Sequence, residues 1–409
     1  MKTIYNKALL ICTIALAVSC NSFSALKDVQ KIEPISVSIK SQFNIGDAPA
    51  PSSFQVKFIS YSENQEYYAV TNALGEITVN NIIPGIYTVS LSRELTVDGK
   101  TTYFYTGNLS NVILKENNQL LNITINVAKS GALLIKELYW CGSRTPSNGS
   151  YFRDQFYEIY NNSDVEQNVR NLVIALLAPS PASATPPIWP PEYRNDHVFG
   201  DALWQVPDDR DYPLLPGESI IIAQMADDHT KESLNPACPV NLITAEFETF
   251  VASTSIIQDN PAINMYMAFW PSQTPQWLTT VFGGAFAIFN PGEALIYGDP
   301  TNEVTAEGSG TRRYKIPISE VIDAVECLSS MNDINLKRVP VILDAGAVSV
   351  EGTYNGKSAS RIIKEIKEDG RVVYQDTNNS IEDFQINDFP VIRRNGAKAP
   401  SWNTWINNY

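Results

Sequence analysis

Histidine is almost missing from this chain of 409 residues, which has only His197 and His229. That scarcity argues against histidine-paired nucleophiles and multi-histidine metal centres. Cysteine is sparse as well, five in all and none in a CxxC pair, which argues against a zinc site or a thioredoxin-like redox centre. Positive charge is short: 30 Lys and Arg face 44 Asp and Glu, a formal net charge of −14, with no local basic cluster to offset it. Such a surface repels nucleic acid and anionic membranes, so no nucleic-acid partner is expected. No apolar run reaches the ~20 residues of a membrane-spanning helix. GxSxG, HExxH, P-loop and Rossmann fingerprints are all absent, so the chain carries no recognisable catalytic signature.

What the chain does have begins at its start. Lys2 and Lys7 precede an apolar stretch from Ala8 to Val18, about half the length of a membrane span, and the stretch closes on Ala17-Val18-Ser19-Cys20. This arrangement resembles a bacterial lipoprotein signal. The resemblance implies removal of residues 1–19 and acylation of Cys20, with several chains anchoring firmly because each buried methylene contributes roughly 0.8 kcal/mol. A secretory signal with an incidental cysteine is the alternative. Cleavage takes away Lys2 and Lys7, leaving 28 basic against 44 acidic side chains, a balance of −16. Cys12 goes with the signal, and the odd set Cys141, Cys238 and Cys327 allows at most one intrachain disulfide.

Residues 20–33 read as a lipidated N-terminus and polar tether. From Pro34 a period of two sets in: Ile35, Val37 and Ile39, then Phe54, Val56 and Phe58, then Tyr87, Val89 and Leu91, then Leu121, Ile123, Ile125 and Val127. Asp98-Gly99 is a type I′ hairpin signal between two further runs. Short alternating strands over residues 34–129 predict a β-sandwich. Within it, Gly75, Pro84-Gly85 and Tyr87 lie in a stretch similar to carboxypeptidase-regulatory-like and prealbumin-like sandwiches, which implies a spacer or partner-contacting module.

Residues 130–409 read as a second domain. Leu133 to Trp140, then Asp154-Gln155-Phe156-Tyr157-Glu158-Ile159-Tyr160-Asn161-Asn162-Ser163, resemble the opening of a lamin-tail-type sandwich, continued by Val169 to Leu177 and by Pro216-Gly217-Glu218 before an apolar run. Pro291-Gly292-Glu293 precedes a second such run, predicting a second strand. The fold class expected is mostly β, with two immunoglobulin-like sandwiches in tandem. The second is enlarged by insertions at about 178–215 and 255–280 and by a C-terminal extension from about 312. Ile322 to Glu326 fits a helix turn or a strand, and Asp369-Gly370 sits between the arms of a hairpin. Together with the stretch Asp376-Thr377-Asn378-Asn379-Ser380, these features resemble an uncharacterised family of Bacteroidetes outer-membrane lipoproteins. That resemblance implies a neighbourhood of TonB-dependent receptors.

Four groups of residues are candidates for chemistry or binding. Asp376, Asn378, Ser380 and Asp383 alternate oxygen ligands as a weak calcium loop would, although an Asx-turn network explains them as well. Trp189, Trp204, Trp270 and Trp277 are candidate ligand-binding aromatics, since rings at loop tips stack on sugars or apolar ligands; pinning of their own loops is the alternative. Asp208-Asp209-Arg210-Asp211 beside Trp204 offers carboxylates, but neighbours on one loop seldom span the cleft a glycoside hydrolase needs. His197 and His229 both read as loop residues in acidic surroundings, and Trp402 and Trp405 as anchors for the C-terminal tail. Apart from the calcium loop, no cofactor is expected.

The function these features predict is non-catalytic recognition by a lipid-anchored envelope protein, accessory to a TonB-dependent transporter or binding an extracellular glycan or small molecule. A structural or adhesive envelope role and a hydrolase are the alternatives. The expected location is the outer membrane, with the cell surface favoured, although residues 21–28 lack the acidic run that resembles a surface-export signal.

Overall fold

The computed structural model describes residues 32–46, 48–60, 65–97, 101–129, 131–252, 258–271, 277 and 279–409. Cys20 and Asp98-Gly99 lie outside the described residues. The fold is mostly β, with sandwich-type sheets throughout.

The N-terminal unit is one seven-stranded sheet of β1 (Ile35–Asn44), β2 (Gln55–Ser60), β3 (Gln65–Val70), β4 (Glu76–Ile82), β5 (Gly85–Val97), β6 (Thr101–Leu114) and β7 (Gln119–Lys129), in the order β3-β2-β5-β6-β7-β1-β4. The alternation read from the sequence is the packing rule here: Val37, Ile39, Phe54, Val56, Phe58, Tyr87, Val89, Leu91, Ile123 and Ile125 are all buried in one core. The long β5–β6 ribbon joins the layers, because β2 attaches to β5 while β7 attaches to β6. The sheet rolls until its two end strands, β3 and β4, meet across the turn 71–75. Asn72 Oδ1 accepts from the amides of Leu74 and Glu76 at 2.9 Å, closing that turn. Gly75 ends it at φ +69°, where a Cβ would lie 2.5 Å from Ser41 Cβ, so a side chain is excluded by conformation and by space.

The remainder packs two sheets face to face. One has seven strands, in the order 263–264, 247–248, 219–223, 156–161, 133–139, 358–361 and 384–387; the other has eight, built around 312–317, 197–205, 173–177, 285–289 and 321–328. Ile135, Leu138, Tyr157, Ile159, Ile220 and Ile222 of the first meet Ile174, Leu176, Trp204, Phe286, Ile288 and Val325 of the second. Residues from about 312 onward are therefore no extension. Val321–Leu328 and Ser358–Arg361 are strands of the two sheets, and the short run Ile322 to Glu326 is a strand.

Both sheets are covered on their outer faces too, which is why strands such as Leu133–Tyr139 and Val173–Leu177 are buried along their whole length. Outside the eight-stranded sheet a second core holds Val173, Ala175, Leu177, Leu203, Ala287 and Phe289 beneath Leu295, Val339 and Leu343. Outside the seven-stranded sheet a small apolar cluster of Leu134, Tyr160, Val372 and Tyr374 lies beside a largely polar cover. A bulge opposite Glu158 sits at Lys136 and Glu137; Lys136 Nζ and Ser219 Oγ donate to Glu158 Oε1 at 2.8 and 2.7 Å, and Arg394 Nε donates to Glu137 Oε2 at 3.0 Å. The tail that supplies Arg393 and Arg394 is fastened by Trp402 Nε1 to Pro213 O at 2.8 Å and by Trp405 Nε1 to Ala245 O at 3.0 Å. The strand expected after Pro291-Gly292-Glu293 does not form. Gly292 has φ +77° as a turn requires, but Ala294 to Ile296 are a loop with Ile296 exposed, and Leu295 caps the second core.

Candidate functional site

Three of the four candidate tryptophans are core residues. Trp204, Trp270 and Trp277 are each at most 3% exposed, and Trp204 meets Trp270 edge-on at 5.7 Å and Trp277 at 6.3 Å between centroids. Trp204 lies on the strand 197–205 and Trp270 and Trp277 in the insertion expected at 255–280, and all three rings fill the space between the sheets. Trp189 stacks flat on Phe199 at 3.9 Å and pins its own loop.

The expected calcium loop is built around a guanidinium. Asp376 and Asp383 both accept from Arg361 Nη1, at 3.1 and 3.3 Å, and Asp323 takes Nη2 through both its oxygens at 2.9 and 2.8 Å. Ser380 turns instead to Asp344, through its amide at 2.8 Å and through its hydroxyl, and Asn378 lies at φ +53° in the turn between. Of the four expected oxygen ligands only Asp376 and Asp383 face a cation, the Arg361 guanidinium, and no group of acidic, histidine or cysteine residues fit for a metal occurs among the described residues. Burial pushes Asp323 up to about 7 and Asp383 up to about 6, against the opposing pull of Arg361.

The remaining candidates do not converge. His229 is buried, with Nδ1 2.7 Å from Tyr151 Oη and Nε2 2.9 Å from Met225 O, and burial lowers its pKa; His197 pairs with Asp196 at 2.6 Å. In the acidic run, Asp209 accepts from Tyr212 Oη at 2.6 Å, and Asp211 lies 3.6 Å from Arg170. Cys141, Cys238 and Cys327 are free and buried; burial pushes the Cys141 thiol up to about 11 and raises the other two further.

A pocket does form beside the acidic run, of which only Asp208 lines it. Four neighbouring stretches of the eight-stranded sheet end side by side, as the register Val173↔Gln205, Val173↔Phe289 and Gln205↔Tyr266 shows. Their loops enclose a pocket of about 460 Å³ lined by Asn171, Gln205 to Asp208, Tyr266 and Ala294 to Ile296. Gln205 braces it: Nε2 donates to Glu293 O at 2.8 Å and to Asn171 O at 3.2 Å, while Oε1 accepts from the Leu295 amide at 2.9 Å. Asn171, at φ +64° and 4% exposed, has its Oδ1 buried with no partner among the described residues. Tyr266 and Ile296 stay exposed at the rim, at 44% and 72%, and Tyr297 beside them at 42%. Of its lining the sequence singled out only Asp208, because Asn171 reads as an ordinary turn residue and Tyr266 as one of many aromatics.

A second cleft, of about 300 Å³, lies between the N-terminal sheet and the C-terminal segment, lined by Arg93, Glu94, Tyr105, Lys364, Gln375 and Glu382. The Lys364–Glu94 ion pair at 2.6 Å crosses it, and Asn108 Nδ2 donates to Ala345 O at 2.6 Å between the same two parts. It reads as the polar seam of a domain contact.

Residues 215–391 match the family model described as a protein of unknown function (DUF4876). No curated protein matches the chain. Among solved structures, a DUF4876 family protein from Bacteroides thetaiotaomicron is 37% identical, with a TM-score of 0.65 over 90% of this chain and 99% of the other. A cell-adhesion candidate from Bacteroides eggerthii is 8% identical over 47% of this chain and 80% of its own, with a TM-score of 0.17, too low to carry an argument. With that identity across nearly the whole length of the Bacteroides thetaiotaomicron protein, the chain belongs to the DUF4876 family.

Proposed function

We propose that the chain is a lipid-anchored envelope protein whose work is non-catalytic recognition, performed at the loop-end pocket. The pocket is the observation that carries this reading: a concave, braced, mostly apolar site with one buried acceptor left unpaired, displayed at the end of a rigid sandwich. The lipobox-like Ala17-Val18-Ser19-Cys20 supports anchoring, and the N-terminal sheet between Cys20 and the sandwich holds the pocket away from the lipid. Asp154, Glu246 and Asp323, whose carboxyls burial raises, are tied up in packing networks and none of them lines the pocket, which supports recognition rather than turnover. In the outer membrane, such a protein serves as the ligand-presenting accessory of a TonB-dependent transporter.

The test is crosslinking in intact cells followed by purification of the full-length chain from membranes. Acylated Cys20 at the N-terminus and a co-purified transporter are the expected result. A soluble, unacylated chain overturns the anchoring, and recovery of structural envelope proteins in place of a transporter favours the adhesive alternative.

A further inference from the structure

At one end of the N-terminal sheet three aliphatic side chains face water side by side. Ile86, Ile113 and Leu120 are 50%, 59% and 54% exposed, while their chain neighbours Tyr87, Leu114 and Leu121 are buried in the core. The pleat therefore points all three to the outer face. Each lies one residue in from a strand end, since β5 begins at Gly85, β6 ends at Leu114 and β7 begins at Gln119. Ile86 pairs directly with Ile113, and Gln119 Nε2 donates to Ile113 O at 2.9 Å, which sets Leu120 beside them. Single exposed aliphatics are ordinary on a protein surface, but neighbours on three adjoining strands form a patch, and a patch marks a contact.

The course of the chain brings lipid to that patch. β1 starts at the same end of the sheet, because Ile35 pairs with Ile82 and Val37 with Gln119. From Cys20 to Ile32 a fully extended chain spans at most about 40 Å. The connection to the sandwich leaves from Lys129, at the other end of the 11-residue β7, roughly 35 Å away. We propose that the near end of the sheet rests on the bilayer that holds acylated Cys20, with Ile86, Ile113 and Leu120 entering its interfacial layer. This rests on reading Cys20 as the anchor. An anchor on this side keeps lipid at high effective concentration beside the patch, so a contact too weak to recruit a partner from solution suffices here. The contact is apolar rather than electrostatic. Lys115 at the adjoining hairpin tip lies 3.9 Å from Glu116, and the chain carries a net charge of −14, so the attraction does not come from anionic headgroups.

The full-length acylated chain, purified from membranes and reconstituted into phosphatidylcholine vesicles, tests this. An environment-sensitive fluorophore is placed at Ile113→Cys or, as a control, at Leu74→Cys, which is exposed in the turn at the opposite end of the sheet. The native Cys141, Cys238 and Cys327 are buried and do not compete for the label. Nitroxide-labelled lipid is the quencher. Quenching at least threefold stronger at position 113 than at position 74 is expected. It should be unchanged between about 50 and 500 mM salt and lost when Ile86→Ser and Leu120→Ser are added. If the chain stays with the vesicles while position 113 is quenched no more than position 74, the contact is overturned and the anchoring stands. Shielding of position 113 without vesicles, growing with protein concentration, would assign the face to a second copy of the chain and overturn the contact as well. A chain that carries no acyl group and does not stay with the vesicles overturns the anchoring and this contact with it.

Discussion

Replacing Arg361 by Met tests whether the acidic cluster near the C-terminus is held by a protein cation. Arg361 is 2% exposed, and its guanidinium donates to Ile135 O, Gln375 O, Asp323, Asp376 and Asp383, so one positive charge serves three carboxyl groups. Removing one partner of a buried ion pair costs about 3–5 kcal/mol, because the other partner stays buried and uncompensated. The size of that cost depends on pH. Burial raises Asp323 to about 7 and Asp383 to about 6, above the unfolded aspartate value of about 3.9. A carboxyl whose folded pKa is raised holds a proton that the unfolded chain has released, so its contribution is fully present below the unfolded pKa and is lost as pH rises through about 6 and 7. Without Arg361 the same carboxyls are still harder to ionise, so the penalty of Arg361→Met grows between pH 5 and pH 7.5. Urea unfolding followed by tryptophan fluorescence measures it: a loss of about 3–5 kcal/mol at pH 7.5 and a clearly smaller one at pH 5 are expected. A loss below about 1 kcal/mol, the range of an exposed pair, or one that is equal at both pH values, refutes the reasoning.

The other expectations follow from the same packing. Trp204→Ala empties a site between the sheets and should destabilise by about 3–5 kcal/mol in the same assay; a value below about 1 kcal/mol would put the indole outside the core. Excess EDTA and millimolar calcium should give the wild-type chain the same melting temperature, since the guanidinium holds the oxygens that would coordinate calcium; a shift of several degrees would contradict this. Cys141, Cys238 and Cys327 should resist a thiol reagent at pH 8 until the chain is denatured, because all three are buried and burial raises each thiol. Rapid labelling of the native protein would show otherwise.

The sequence disclosed most where one face of a strand meets water. In the N-terminal sheet, Ile35, Val37 and Ile39 alternate with partly exposed or exposed neighbours, so a period of two is visible and predicts the core directly. The pattern fades where both faces are covered. Leu133–Tyr139 is buried throughout, and its Lys136 and Glu137 look like surface residues until the tail residues Arg393 and Arg394 are seen covering them. The tryptophans misled for a related reason. Proline-rich composition signals a loop backbone, but a loop can still deliver a large ring into the core, as at Trp270 and Trp277. The oxygen ligands near residue 380 were legible as a cation site, while the cation, Arg361, is supplied from another strand that no local pattern links to it. The loop-end pocket was legible only at Asp208, because the rest depends on three strand pairings bringing Asn171, Gln205 and Tyr266 to one end of a sheet.

Hydrogen–deuterium exchange of the full-length chain, with and without each of a neutral methyl pyranoside, hexanoate and butylammonium at saturation, tests the recognition claim most directly. Slower exchange confined to residues 169–173, 205–209, 264–268 and 292–297 is the predicted result. Protection centred on the cleft of Arg93 and Gln375, or none anywhere, would contradict it.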